Sequence, residues 1–177
     1  MDEAGAGPLM GPVYAAAVIL PRELDIPGLN DSKKLTEKKR EALFPLIQQS
    51  ALAWSVARVE AEEIDRTDIL SARIRAMQLA IEGLSLRPDF ALIDGNRDRG
   101  RAAAITTPHR AIVKGDSLSA SIAAASILAK VSRDRYMEEM ARRYPKLAGT
   151  ARPIRSSEDK YGFTSMEPLS LIHISEP

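Results

Sequence analysis

Residues 2–8, Asp2-Glu3-Ala4-Gly5-Ala6-Gly7-Pro8, place two adjacent carboxylates directly before a glycine-rich turn. Neighbouring side chains on an extended backbone point to opposite faces, so Asp2 and Glu3 can share one site only where a strand ends and the backbone turns. The two glycines supply such a turn, and without side chains they let another backbone or a polynucleotide come close. Alone, the pattern is also typical of a charged surface turn, so its interpretation depends on the rest of the chain.

The composition favours one α/β domain. Of the 177 residues 45% are hydrophobic, which is enough for one core and argues against wholesale disorder. Lys plus Arg number 25 against 24 Asp plus Glu, so the net charge of +1 neither favours nor excludes a nucleic-acid partner. The chain has no cysteine, which excludes disulfides, thiolate zinc sites and cysteine nucleophiles. No apolar run approaches membrane-spanning length and no signal peptide opens the chain, so we expect a cytoplasmic protein.

Hydrophobic periodicity predicts alternating strands and helices as far as about residue 145. The apolar runs indicate strands near residues 14–20, 54–59, 90–93 and 111–113. Helical spacing predicts helices over residues 37–49, with Thr36 as N-cap, over residues 69–82, ended by Gly83, and from residue 118 to about residue 143. The periodicity ends after Tyr144, so we predict one domain over residues 1–145 and an irregular, non-native tail over residues 146–177.

Two further acids follow predicted strands. Asp94 ends a short apolar strand, the position at which α/β sheets place their chemistry, and Asp116 precedes the long alanine-rich helix. Together with Asp2 and Glu3 they describe an all-oxygen site suited to Mg²⁺ or Mn²⁺. Two such ions can align an attacking water and stabilise a leaving oxygen in phosphodiester cleavage. Taken singly, Asp94 is equally typical of an ordinary turn and Asp116 of a helix cap.

Positive charge is densest between Lys33 and Arg40. A solvent-exposed helix face and contact with phosphate groups are both compatible with this cluster. No phosphate loop, complete dinucleotide-binding fingerprint or serine-hydrolase elbow is present to favour other chemistry.

Six blocks recur in a specific order and spacing: Asp2-Glu3-Ala4-Gly5-x-Gly7-Pro8, Leu29-Asn30-Asp31-Ser32-Lys33-Lys34-Leu35, Asp94-Gly95-Asn96, Lys114-Gly115-Asp116-Ser117, the alanine-rich residues 123–131 and Arg133-Asp134-Arg135. Together they resemble bacterial ribonuclease HII over residues 1 to about 145. The resemblance implies a ribonuclease H-like α/β fold, with a mixed five-stranded central sheet flanked by helices. It also implies an endonuclease, dependent on Mg²⁺ or Mn²⁺, that cuts the RNA strand of RNA–DNA hybrids. Duplex DNA would be cut on the 5′ side of an embedded ribonucleotide.

The resemblance assigns the catalytic and metal-binding roles to Asp2, Glu3, Asp94 and Asp116. Such an enzyme must detect a 2′-hydroxyl, the group that separates RNA from DNA, and the backbone of the turn at Gly5, Ala6 and Gly7 is suited to this. Phosphate contacts would fall to Lys33, Lys34 and Lys114, and Tyr161 would stack against the ribose at the junction. We expect a monomer with nucleic-acid substrates and no membrane partner.

The chain also departs from the family. Ala6 stands where the family typically has arginine between the two glycines, and the first strand and the C-terminal helices are largely missing. Residues 160–164 match the family's tyrosine segment only in part. One alternative is therefore a catalytically impaired fragment that binds hybrids without cleaving them. Two others are a different two-metal nuclease of the same fold superclass and an α/β small-molecule binder with a deep apolar pocket.

Overall fold

A computed structural model describes residues 1–6, 11–24, 26–29 and 35–144. The remaining residues lie outside this description, and the predicted tail over residues 146–177 is among them. The described strands are β1 (Asp2–Ala4), β2 (Val13–Ile19), β3 (Ala53–Val59), β4 (Ala91–Asp94) and β5 (His109–Ile112). The described α-helices are α1 (Glu37–Ser50), α2 (Ala61–Arg66), α3 (Ile69–Glu82) and α4 (Ala120–Arg143), and a 3₁₀ turn covers Gly115–Ser117.

The strands form an antiparallel group, β1-β2-β3, and a parallel pair, β4-β5. Backbone hydrogen bonds at Met1 join the two groups. The Met1 nitrogen donates to the Leu92 carbonyl (2.7 Å), and the Asp94 N–H donates to the Met1 carbonyl (3.0 Å). Met1 therefore bonds to the two residues on either side of Ile93, which is the hydrogen-bond pattern of parallel strands. The order is therefore β3-β2-β1-β4-β5, which confirms the predicted mixed five-stranded sheet.

Helices cover both faces of this sheet. On one face, Ala16 and Val18 of β2 belong to a core with α1 and α4. On the other, Val13, Ala15 and Ala17 belong to a core with α3. The alternation follows from the period of two along a strand, and it explains why β2 is apolar at nearly every position, with Tyr14 as its one polar-tipped side chain.

Helix α4 lies close to the central strands because its inner face is built from small residues. Ala123, Ala124, Ala125 and Ala129 are almost completely buried, and they sit in one core with Ile127. Side chains of this size allow a helix backbone to approach a sheet more closely than leucine or phenylalanine would. The alanine-rich segment of the sequence is thus the reason that α4 contacts both β1 and β2.

The predicted helix and strand positions are confirmed with small shifts at their ends. Thr36 caps α1 by accepting a hydrogen bond from the Lys39 N–H (3.3 Å), and Gly83 is the C-cap of α3. The helix predicted from residue 118 begins at Ala120. Asp116 lies in the separate 3₁₀ turn before it, so it is not part of the first turn of α4.

Within the described ranges, no helix is both long enough and apolar enough to cross a membrane.

We predict that Ile127→Ala lowers the free energy of unfolding by about 2–5 kcal/mol, because Ile127 is fully buried and its loss leaves a cavity between α4 and the sheet. Denaturant unfolding followed by circular dichroism measures the change. Leu52→Ala is the control, since Leu52 is 57% exposed, and it is expected to change stability little. Equal losses in the two variants would contradict this packing of α4.

Candidate active site

Asp2 and Glu3 lie side by side on β1 and extend to opposite faces of the sheet. Asp2 hydrogen-bonds with Ser126 of α4, whereas the Glu3 carboxylate accepts a hydrogen bond from the Arg73 guanidinium of α3. Both acids lie within β1, so they follow the period of two of a strand and do not show the strand-end arrangement, with both acids reaching one site, that the sequence led us to expect. Each acid is therefore oriented by a different helix.

Asp2 is buried beside two polar groups of α4. The Lys130 ammonium donates to the Ser126 hydroxyl oxygen (2.7 Å), four residues earlier on the helix, and its charge also acts on Asp2. Burial raises the pKa of the Asp2 carboxyl, the Ser126 hydrogen bond opposes that rise, and the Asp94 charge adds to it. The influence of Asp94 reflects the adjacency of β1 and β4.

Glu3 combines a buried carboxylate with a cationic partner. Burial raises the pKa of Glu3 from its ordinary 4.5 to about 7, with the Asp2 charge adding to the rise and Arg73 acting against it. One carboxylate oxygen, Oε1, is bonded to Arg73, while Oε2 is buried without a hydrogen-bond partner. A buried oxygen with spare acceptor capacity is suited to a donor or a cation.

Asp94 and Asp116 are linked by the backbone between them. Asp94 ends β4, and its Oδ1 accepts a hydrogen bond from the Gly115 N–H (2.6 Å), next to the buried Asp116. A side chain at Gly115 would displace its neighbours, since a Cβ there would lie 2.5 Å from Ile122 Cδ1 and 3.2 Å from Asp94 Oδ1. The Lys-Gly-Asp-Ser block therefore brings Asp116 close to the end of β4.

The four acids match a hard divalent cation in donor chemistry, since all their ligand atoms are carboxylate oxygens. The buried Oε2 of Glu3 and the mutual repulsion of Asp2, Glu3 and Asp94 also fit a bound positive charge. Within residues 1–6, 11–24, 26–29 and 35–144, however, no three His, Cys, Asp or Glu side chains lie close enough together to hold a metal ion. The shared four-carboxylate metal site remains a prediction.

The predicted nucleic-acid contacts are described only in part. Gly5 has a φ of +101°, in the left-handed region that favours glycine, and Ala6 is half-buried beside it. Lys114 is exposed, adopts a left-handed φ of 57° and lies two residues before Asp116. The other predicted contacts, Gly7, Lys33, Lys34 and Tyr161, lie outside the described residues.

Sequence reasoning missed Arg73, Ser126 and Lys130 as partners of the acids. Arg73 interrupts the apolar spacing of α3, and a cation on the side of a helix that faces the sheet could have indicated a buried acidic partner. Ser126 looked like one more small packing residue, and only the fold shows its hydrogen bond to Asp2.

His109 pairs with Asp98, which is not one of the four candidate acids (3.0 Å between Nε2 and Oδ2).

The family model and the relatives of this chain agree on one family. The family model described as Ribonuclease HII matches residues 1–158. Ribonuclease HII of Vibrio vulnificus and that of Aliivibrio fischeri are each 56% identical to this chain over 146 residues, which is 82% of this chain and 69% of each relative.

Solved structures agree with the fold. Ribonuclease H2 from Pyrococcus horikoshii superposes with a TM-score of 0.71 at 30% identity, over 87% of this chain and 79% of that one. RNase HII of Archaeoglobus fulgidus, solved in complex with PCNA, gives a TM-score of 0.67 at 28% identity, over 81% of this chain and 74% of that one. Bst-RNase HIII in complex with Mn²⁺ is 22% identical, with a TM-score of 0.56 over 80% of this chain and 53% of that one, and supports the fold alone.

We predict that Glu3→Gln stabilises the protein at pH 8 in the presence of a chelator. The pKa of Glu3 is higher in the folded state than in the unfolded one, so the parent chain loses stability as the pH rises from 4.5 to about 7. Glutamine removes this charge and retains an acceptor for Arg73. The expected gain is roughly 1–3 kcal/mol at pH 8 and close to zero at pH 4.

Thermal unfolding at the two pH values checks this expectation. The exposed Glu62, on α2, provides the control Glu62→Gln, which is expected to leave the pH dependence unchanged. A Glu3→Gln variant that is less stable than the parent at pH 8 would mean that the ion pair with Arg73 outweighs the cost of burying the charge.

Proposed function

Because this chain belongs to the ribonuclease HII family, a class of ribonuclease H hydrolases that act on nucleic acid, we propose that it cleaves the RNA strand of RNA–DNA hybrids. We extend the proposal to duplex DNA that contains a single ribonucleotide, cut on its 5′ side to leave a 3′-hydroxyl and a 5′-phosphate. The observation that carries the proposal is the adjacency of Asp2 and Glu3 on β1 to Asp94 at the end of the neighbouring strand, β4.

We assign the catalytic and metal-binding roles to Asp2, Glu3, Asp94 and Asp116, with Mg²⁺ or Mn²⁺ as the cation. When bound, two such ions supply the positive charge that activates a water and stabilises the leaving oxygen. The protein's part is to orient the acids, and three of them, Asp2, Glu3 and Asp94, have separate supporting contacts. Ser126 with Lys130 orients Asp2, Arg73 orients Glu3, and the Gly115 N–H orients Asp94.

Substrate binding would use the surface beside these acids. The backbone of Gly5, Ala6 and Gly7 is proposed to approach the ribose and detect its 2′-hydroxyl. The exposed Lys114 lies two residues from Asp116, which supports a contact with a phosphate near the reacting bond. We propose the same sequence-independent role for Lys33 and Lys34, and stacking on the ribose for Tyr161.

The alternative of a chain that binds hybrids without cleaving them is not favoured, because the comparisons are with ribonucleases and the four acids are all present. We further propose that the chain acts as a monomer in the cytoplasm, as the sequence predicts.

Cleavage of a DNA duplex with one internal ribonucleotide tests the proposal directly. We expect cutting on the 5′ side of the ribonucleotide with Mg²⁺ or Mn²⁺, and no cutting with a chelator or of the matched all-DNA duplex. Denaturing electrophoresis of end-labelled strands locates the cut. Cutting of the all-DNA duplex, or cutting that persists in chelator, would contradict the proposed substrate or the proposed metal dependence.

Replacing a catalytic acid separates chemistry from binding. Asp94→Asn keeps the size of the side chain and an oxygen that can accept from the Gly115 N–H, but it removes the charge that a cation needs. We expect cleavage to fall by at least about 10²-fold while hybrid binding is largely retained. The control is Asp89→Asn, since Asp89 is exposed just before β4. Wild-type turnover by Asp94→Asn would remove Asp94 from the site.

A further inference from the structure

One face of α4 faces the candidate site along much of its length. Ser126, Lys130, Arg133 and Met137 follow one another at helical spacing, so they form a single stripe on the helix. Ser126 and Lys130 interact with Asp2, as described above. The other two residues contact glycines of the segment between β1 and β2, which makes α4 a common support for the acid and for the turn that follows it.

Arg133 packs against Gly5, at the start of that segment, and lies near Gly11, at its other end. A Cβ on Gly5 would lie 2.6 Å from Arg133 Nε and 3.0 Å from its Cδ, so the arginine occupies the space that a side chain at Gly5 would need. A Cβ on Gly11 would lie 2.9 Å from Met137 Sδ and 3.9 Å from Arg133 Nη2. Both glycines have positive φ, +101° at Gly5 and +91° at Gly11. The left-handed bend at Gly5 thus lies against Arg133, and the one at Gly11 lies against Met137, one turn further along the helix.

The arginine is almost completely enclosed by the protein. Arg133 is 5% exposed, and burial lowers the pKa of its guanidinium, although the nearby Asp134 carboxylate opposes the change. An arginine stays protonated in proteins, so a buried guanidinium is a fixed, planar cation. A rigid group packed directly against Gly5 limits where the backbone of the turn can lie.

We propose that Arg133 is a positioning residue that fixes the turn at Gly5 where its backbone can detect a ribose 2′-hydroxyl. The inference rests on the proposed function and adds a residue of α4 to those that contribute to recognition of the ribose. Ribose and deoxyribose differ by one hydroxyl, and backbone groups distinguish them only from hydrogen-bonding distance. A displacement of about 1 Å can cost roughly 10²-fold in rate, so the support beneath the turn matters as much as the turn. Ala6 has only a methyl group to contribute to this support.

The test replaces Arg133 with methionine, which has a similar length and no charge. Methionine keeps the apolar stem by which the arginine packs, and the melting temperature of each variant shows how much stability is lost with the charge. Arg133→Lys is the second variant, since it keeps the cation and removes the planar fork. The matched control is Arg135→Met, which removes the same charge from an exposed position of α4, where Arg135 pairs with Glu41.

Two readouts are compared with the melting temperature of each variant. The first is kcat/KM on the duplex with one ribonucleotide, which we expect to fall about 10- to 100-fold in Arg133→Met. The second needs no divalent cation: fluorescence anisotropy in chelator gives the Kd for the one-ribonucleotide duplex and for its all-DNA match. The preference for the ribonucleotide duplex is expected to fall toward one in both Arg133 variants and to persist in Arg135→Met.

The outcomes distinguish the inference from the proposed function. If the parent cleaves and prefers the ribonucleotide duplex, but both Arg133 variants keep that preference, the role of Arg133 is overturned and the function stands. The role is also overturned if the Arg133 variants melt at a lower temperature and lose activity equally on all substrates while their preference for the ribonucleotide duplex is unchanged. Those are the effects expected of a residue that only stabilises the fold. A parent chain that cleaves neither ribonucleotide-containing substrate overturns the proposed function and the inference together.

Discussion

The close packing of α4 against β1 and β2 is the constraint on which the candidate site depends. Only small side chains allow this approach, and the run of buried alanines in α4 provides them. Because the helix lies so near, Ser126 reaches Asp2 and Arg133 reaches Gly5. The same interface therefore builds the core and sets the positions of the acid and the turn. A larger residue in this alanine face would move the site as well as strain the core.

The strand period imposes the second constraint. Asp2 and Glu3 are neighbours on β1, so the sheet separates their side chains and each meets a different layer of the protein. The sequence predicts both acids at a strand end, where they would not be separated, whereas the structure keeps both in β1 and supplies partners on each face. Arg73 comes from α3 and Ser126 from α4. Contact with both helix layers explains why a three-residue strand has so much influence on the site.

Much of the architecture was predictable, and the unpredicted part has a physical reason. The helices over residues 37–50 and 69–82 follow from local periodicity and caps at Thr36 and Gly83, which depend on neighbours in the sequence. The short helix α2 was missed because residues 61–66 have no buried face and hence no periodic pattern. The partners of the acids were missed because they are tertiary: Arg73 lies 70 residues from Glu3. The spacing of residues along the chain does not encode such contacts.

The electrostatics of the site follow from this tertiary arrangement. Burial raises the pKa values of both Asp2 and Glu3, so the folded chain holds these carboxylates ionised only at a cost in stability. Lys130 and Arg73 offset part of that cost, one on each face of the sheet, because their charges lie near the acids only when α4 and α3 are docked. Removing either cation would leave a buried carboxylate without its compensating charge. This destabilises the fold more than replacing both partners of the pair by apolar residues. The charge state of the two acids is therefore a property of the packed helix–sheet–helix sandwich, and a change in the docking of either helix alters it without touching the acids themselves.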